Sequence, residues 1–331
     1  MNRVFLLQIR SWVLVSMTAI LAAAVAAFPL IILREPGGAR AEVLADPSPA
    51  GGYTTVVHVQ TGSRMRDLVE ELERSHLTTG RALLPALERT AHSAVPFTLP
   101  RAGGAARYEG LFRPGRYRFE PGALRPLTGG QGDPRQAALN ASLIARRLLE
   151  SAADRYAYLA GLPRGDGSEG EAAGATAQDL GPYQVIILAS IVEKEAVGGR
   201  GYEDVSAVFH RRLAGGTPLG SCPTLEYALG YHRPFLTQED LSLDSPYNVY
   251  AQPGLPPTPI CFFSDQALGA AVRPSSTSAF FFVFDWTSGR LLFSETYGEH
   301  LAKADQARRN YARLYGREAL RARHPDKYYE P

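Results

Sequence analysis

No sign of charge dominates this sequence: 35 lysines and arginines face 33 aspartates and glutamates in 331 residues, a net of +2. A strongly basic field is missing, and nucleic acid is excluded as a partner on that ground. Cysteine is nearly absent, with Cys222 and Cys261 alone. An even count permits one disulfide in an oxidising compartment, and two separate buried thiols fit the same count. The seven histidines are scattered, none at ligand spacing from a cysteine or another histidine, so no metal centre is expected.

Charge is missing altogether from Trp12 to Leu33, WVLVSMTAILAAAVAAFPLIIL. A run of that length spans a bilayer as a helix. Arg3 and Arg10 precede it, which leaves the N-terminus in the cytoplasm and the remainder outside. A cleaved signal peptide is the rival reading, since AVAAF offers small residues near a cleavage site, but the run exceeds the usual signal-peptide core. Either way the functional part lies beyond the cytoplasm.

The whole chain is 45% hydrophobic, enough for two modest domains plus extra segments. Residues 1–33 read as cytoplasmic N-terminus and transmembrane anchor, and 34–52, rich in Gly, Ala and Pro, as a tether. A small α+β unit covers 53–95, with a strand at Thr54–Val59 and helices near Arg66–Ser75 and Arg81–Thr90. A connecting region, 96–181, holds YEGLFRPGRYRFEPG, which alternates aromatic and basic residues around a turn and predicts a hairpin. Its basic face is either solvated or turned to a ligand. Asp133-Pro134 predicts a capped helix running to about Tyr158. The following GDGSEG is a formal dinucleotide-loop pattern, but no strand leads into it and Asp166, Glu169 and Glu171 would repel a pyrophosphate. It reads as a flexible segment. A mixed α+β domain then covers 182–323, before a tail at 324–331. Two helices open it, loops rich in Pro, Tyr and Gly follow, then strands at Phe280–Phe284 and Leu291–Ser294 and a last helix over about His300–Arg323.

The first helix of that domain carries ILASIVEKEA between the start signal Gly181-Pro182 and the stop signal Gly198-Gly199. At roughly 100° per residue, Glu195 lies about 40° from Ile191 and about 20° from Leu188, while Glu193 lies about 160° from Glu195. Glu195 therefore emerges in line with the apolar stripe and Glu193 belongs to the solvated face. A carboxylate among apolar groups is costly, and burial raises its pKa toward what a general acid near neutral pH requires. A charge that escapes to solvent at the last turn fits the same wheel. Arg212 falls in the buried stripe of the next helix, where it could pair with Glu195, grip an anionic substrate, or snorkel. Ser190 and Lys194 do not have the spacing of a serine–lysine nucleophile.

LASIVEKEA, SAVFHRRL, PLGSCPTLEYALG, SPYNVYAQPGLPPTPI and FSETYGEH stand in the order and spacing of a known family. The chain resembles the YceG-like (MltG) family of endolytic murein transglycosylases, well over Tyr183–Tyr311 and more weakly over Val56–Leu77, which is similar to that family's LysM-like subdomain. The resemblance implies a lyase that cuts nascent glycan strands of peptidoglycan between MurNAc and GlcNAc, outside the cytoplasmic (inner) membrane, and leaves 1,6-anhydroMurNAc ends. It implies that Glu195 is the catalytic residue and that no cofactor is needed, because the substrate's own C6 hydroxyl attacks. Two carboxylates would be expected of an ordinary glycosidase. Tyr247, Asn248, Arg212, Glu299 and His300 are the substrate-binding residues the resemblance implies, with a buried turn and a helix cap as the plainer roles of Tyr247-Asn248 and Glu299. Its partners would be glycan strands, the membrane through the N-terminal helix, and the glycan-polymerising synthases by analogy. The chain departs from the family's pattern at Cys222, where Asp is frequent, and at Arg211, where Asn is frequent, and a Cys222–Cys261 disulfide would join two altered loops. An inactive wall-binding scaffold of the same fold, and a muramidase-type hydrolase using Glu299 or Asp244 as second carboxylate, are the competing functions.

Overall fold

A computed structural model describes residues 40–44, 54–91, 95–101, 103–128, 133–157, 159, 180–196 and 200–321. The apolar run Trp12–Leu33 and the GDGSEG segment lie outside them. Among the described residues no helix is long and apolar enough to cross a membrane.

The fold is mixed α+β. Three antiparallel strands, β1 (Arg40–Leu44), β2 (Thr54–Val59) and β3 (Gly115–Phe119), form one sheet in that order. Strand β1 occupies part of the stretch expected to be a tether. The expected hairpin around Pro114-Gly115 is not there: Gly104–Tyr108 is a 3-10 turn, and β3 pairs with β2, setting Tyr117 against Val57 and Phe119 against Thr55. The local alternation is real but its partner is distant. Tyr117 and Phe119 point into the core, while Arg116 and Arg118 are exposed, so the basic face is the solvated one.

Between β2 and β3 lie α1 (Met65–Arg74) and α2 (Gly80–Ala91). Met65, Leu68 and Leu72 recur at helical spacing and are all buried. Helix α3 (Pro134–Tyr156) starts where the sequence predicts, with the Asp133 carboxylate accepting from the Arg135 N–H at 2.9 Å. It packs on α2. The fully buried Asn140 fastens it to the loops by donating to the carbonyls of Leu77 (2.6 Å) and Arg125 (2.8 Å).

Helix α4 (Pro182–Glu195) is the centre of the molecule. It touches α5 (Tyr202–Ala214), α6 (Cys222–Leu229) and α8 (Asp265–Val272). Residues Val185 to Val192 are buried without a break, so the helix has no solvated side except at its last turn. A helix apolar all round belongs in the interior. The loops expected after α5 therefore contain two further packing helices, α6 and α8, besides the single turn α7 (Gln238–Leu241). They close the far side of α4. Strands β4 (Phe281–Asp285) and β5 (Arg290–Ser294) pair antiparallel, and α9 (Tyr297–Tyr315) packs along them. Helix α9 starts three residues before its expected start and stops well short of Arg323.

One apolar core runs from Val57 in the sheet through α1–α4 to Ala271 in α8. The turn after β2 is stitched to the loop before α8: Gly62 N–H donates to Phe262 O at 2.6 Å and Phe262 N–H to Ser63 O at 2.7 Å. Lys194 Nζ donates to Gly62 O at 3.0 Å. Gly110 sits at φ +67°, where a side chain would collide with Pro259 at 2.5 Å; only glycine fits.

Candidate active site

Glu195 is the last residue of α4, and the chain turns away at Ala196, whose N–H still bonds to Val192 O at 2.9 Å. The glutamate is half-buried. The stop comes before Gly198-Gly199, the residues expected to end the helix.

The loop Pro218–Ser221 carries the groups that meet this carboxyl. Gly220, at φ +61°, allows the chain to fold over Arg212, since a Cβ there would lie 3.2 Å from the guanidinium. Ser221 follows as the residue before α6. A serine in that position ordinarily caps its own helix, but Ser221, fully buried, makes no such bond and donates its hydroxyl to Glu195 Oε1 at 2.7 Å. The backbone N–H of Cys222, first residue of α6, also points to Glu195. The carboxyl thus faces the positive end of a helix.

Burial pushes the Glu195 carboxyl up from its ordinary 4.5 to about 7. The Ser221 hydroxyl, the Cys222 N–H and the Arg212 guanidinium draw it down, while the Glu226 carboxylate pushes it up. Burial wins. The result is an acid that can hold, release and recover its proton near neutral pH.

Arg212 is buried, so it does not snorkel. Its guanidinium donates to Leu219 O, and twice to Phe280 O at 3.1 and 2.9 Å. It influences Glu195 through its charge rather than a direct ion pair, and its donors hold the Leu219 loop and the start of β4 in place. Asn248 is buried and fully used within its turn: it donates to Leu241 O (3.0 Å) and Leu243 O (2.9 Å) and accepts from Tyr250 N–H (3.2 Å). Tyr247 is half-buried, with its hydroxyl 2.7 Å from Thr258 Oγ1 and its ring 4.9 Å from that of Tyr227. Glu299 is exposed at the start of α9, where its Oε2 accepts the Glu295 N–H at 3.3 Å. His300 stacks on Phe281 at 5.2 Å, and burial followed by the nearby Arg212 charge lowers its pKa. Asp244 is exposed and lines a cleft of about 530 Å³ that does not include Glu195. Among the described residues no group of three or more His, Cys, Asp and Glu could hold a metal ion.

Two expectations are corrected here, and a third position, Arg211, finds its partners. Glu193 is not on a solvated face: its carboxylate accepts from Tyr202 OH (3.1 Å), Ser264 N–H (2.8 Å) and Ser264 OH (2.6 Å), which tie α4 to α5 and α8. Cys222 and Cys261 are both free. Cys222 Sγ lies 3.0 Å from Tyr250 OH, and Cys261 donates to Ser190 O at 3.4 Å, so each thiol has its own partner. Arg211 spans to the strand side, donating to Ala279 O at 2.9 Å and to Thr277 O.

Sequence reasoning missed two groups. Ser221 could have been suspected from its place before Cys-Pro, a helix start, though not its choice of Glu195 as acceptor. Glu109 could not: it lies 86 positions before Glu195 in a segment read as a hairpin. It is buried, accepts from Met65 N–H (2.8 Å) and Tyr227 OH (3.2 Å), and burial raises it to about 8.

Residues 39–306 match the family described as the YceG-like family. The chain is similar to an endolytic murein transglycosylase of Bacillus subtilis (strain 168), 34% identical over 118 residues, which are 36% of this chain and 32% of that protein. It is similar to one of Streptococcus pneumoniae (serotype 2, strain D39), 30% identical over 128 residues, 37% of this chain and 23% of that protein. The matched part therefore spans less than a third of either curated relative. The 2.6 Å crystal structure of a putative YceG-like protein from Listeria monocytogenes shares the fold, with a TM-score of 0.53 at 23% identity over 74% of this chain and 75% of that one. With well over half of its length inside the family's match, and the helix of Glu195 within it, this chain belongs to the YceG-like family.

Proposed function

We propose that the protein is a membrane-anchored endolytic lytic transglycosylase that cleaves nascent peptidoglycan strands between MurNAc and GlcNAc, leaves 1,6-anhydroMurNAc ends, and terminates glycan polymerisation. The observation that carries this reading is the half-buried Glu195, pushed to about 7 by burial and held by Ser221 and the first N–H of α6. The names of the relatives from Bacillus subtilis and Streptococcus pneumoniae support it.

In this reaction Glu195 first gives its proton to the glycosidic oxygen, so the bond from the MurNAc anomeric carbon breaks and GlcNAc leaves as an alcohol. The resulting carboxylate then takes the proton of the MurNAc C6 hydroxyl as its oxygen closes on that carbon. The electrons of the broken bond and the first proton stay on the departing GlcNAc oxygen, a C6 oxygen pair makes the new bond, the C6 proton restores the Glu195 acid, and no water enters. One carboxyl suffices because the nucleophile is tethered to the sugar. A hydrolase would need a second carboxylate to activate water. Asp244 and Glu299 are exposed, and Glu299 accepts a bond within its own helix cap, which favours the lyase.

The small unit of β2, α1 and α2 is read as a LysM-like wall-binding subdomain, and Tyr247, His300 and Glu299 as groups lining the glycan path. Asn248 and Arg212 belong to the wall behind it. The uncharged run Trp12–Leu33 with Arg3 and Arg10 before it supports a single-pass anchor in the cytoplasmic (inner) membrane, with the C-terminal region outside and in reach of peptidoglycan synthases. The test is digestion of purified glycan strands with the full chain and with Glu195→Gln. Anhydro ends that vanish in the variant support the reading. Reducing ends would indicate a muramidase, and uncut strands with both proteins a wall-binding scaffold.

A further inference from the structure

Ser221 is held away from a bond that its position offers. A serine just before a helix ordinarily accepts from an N–H of the first turn, yet Ser221 makes no such bond and gives its hydroxyl to Glu195 at 2.7 Å. A serine hydroxyl swings about a single bond, so its surroundings decide which partner it takes. The loop that carries it is braced from two sides. On one side the buried Arg212 of α5 donates to Leu219 O. On the other stands the turn Ser245–Ala251. Its Val249 O accepts the Gly220 N–H at 2.9 Å. The Tyr250 ring lies along Gly220, with Cε1 3.6 Å from where a Cβ would stand. Its hydroxyl reaches one residue beyond Ser221, to 3.0 Å from Cys222 Sγ.

The turn is itself fixed. Asn248 donates its side-chain amide to Leu241 O and Leu243 O, accepts the Tyr250 N–H at 3.2 Å, and gives its own N–H to Ser245 O at 2.9 Å. A stiff support therefore runs from the end of α7 through Asn248 to Tyr250, and half-buried Tyr250 spans the three residues Gly220, Ser221 and Cys222. We propose that Tyr250 is a positioning residue for Glu195: its ring backs the Gly220 turn and its hydroxyl meets Cys222, so that the Ser221 hydroxyl stays aimed at the catalytic carboxyl rather than at its own helix. This rests on Glu195 being the acid of the proposed reaction. The charged and titratable groups around Glu195 are Arg212 of α5 and Cys222 and Glu226 of α6, and Tyr250 stands beside the first two.

The experiment is a titration of the full chain that needs no turnover. The ¹³C signal of the Glu195 carboxyl, identified by its loss in Glu195→Gln, is followed against pH in the parent protein, in Ser221→Ala, in Tyr250→Ala and in the double variant. Each single variant should raise the midpoint by about half a unit, because the carboxylate loses its donor. The double variant should move no further than the larger single shift, since both changes remove one and the same bond. Tyr250→Phe, which keeps the ring along Gly220, should recover most of the parent value. In strand cleavage, Tyr250→Ala should lower kcat and leave KM within about twofold. A midpoint unmoved in Tyr250→Ala, shifts that add in the double variant, or a rise in KM alone overturns the proposal. If Tyr250→Ala does not fold, Tyr250→Leu withdraws the ring and the hydroxyl together and must give the same upward shift. Because the titration reads the carboxyl directly, loss of this inference and loss of the transglycosylase reading are told apart.

Discussion

Glu109 and Glu195 are two carboxyls raised by the same force and put to different ends. Burial lifts one to about 8 and the other to about 7. Glu109 is sealed between the sheet unit and α6, its two oxygens meeting Met65 N–H and Tyr227 OH. Glu195 is half-buried at a helix end, with one oxygen on Ser221. Proton affinity alone would rank Glu109 as the carboxyl better able to keep a proton at neutral pH. Access decides instead: a proton that cannot reach a substrate serves only to make a buried strut tolerable.

The sharpest way to break that comparison is to exchange the two losses. Glu195→Gln should lower strand cleavage by about 10²–10⁴-fold with folding intact, while Glu109→Gln should retain most of the activity, both read by release of glycan fragments. The reverse pattern would move the chemistry to Glu109. Next in size, Glu109→Ala leaves Met65 N–H and Tyr227 OH without their acceptor in the core. It should cost about 2–4 kcal/mol in denaturant unfolding, against less for the amide.

A third prediction concerns pH. Both folded values lie above the ordinary 4.5, so between about 4.5 and 8 the native state binds more protons than the unfolded chain. Stability from these groups is fully present below 4.5 and is lost as pH rises through 7 and then 8. Glu109→Gln should flatten the upper part of that decline in chemical denaturation, leaving the Glu195 part in place. The smallest effect sharpens the Glu195 side. Ser221→Ala removes a bond that favours the carboxylate, so the alkaline limb of activity should move up by about half a unit. A downward move would show that Ser221 does not stabilise the charged form.

What could be read from sequence was local. Gly181-Pro182 announced α4, Asp133-Pro134 announced α3, and the spacing of Leu68 and Leu72 announced α1. The wheel set Glu195 toward the interior, but its premise of one wet face was mistaken, because α5, α6 and α8, which follow α4 in the chain, pack on it together with Phe97 and Gly62 from before it. Glu193 is satisfied by Ser264, 71 residues later, and no periodicity encodes that. The same holds for β3, whose alternation was visible while its pairing with β2 was not, and for Ser221, whose acceptor depends on how α6 docks. Short helices such as α6 and α8 disappear among Pro and Gly when only long periodic runs are trusted.

The stitch between Gly62-Ser63 and Phe262, reinforced by Lys194, makes the sheet unit and the end of α4 mechanically continuous. Separating the sheet unit from the α4 unit would break the backbone ties at Phe262 and the Lys194 side-chain bond one residue from Glu195. A truncated piece lacking the sheet should therefore come out crippled rather than minimal, since strain in the sheet unit has a short, stiff route to the end of α4.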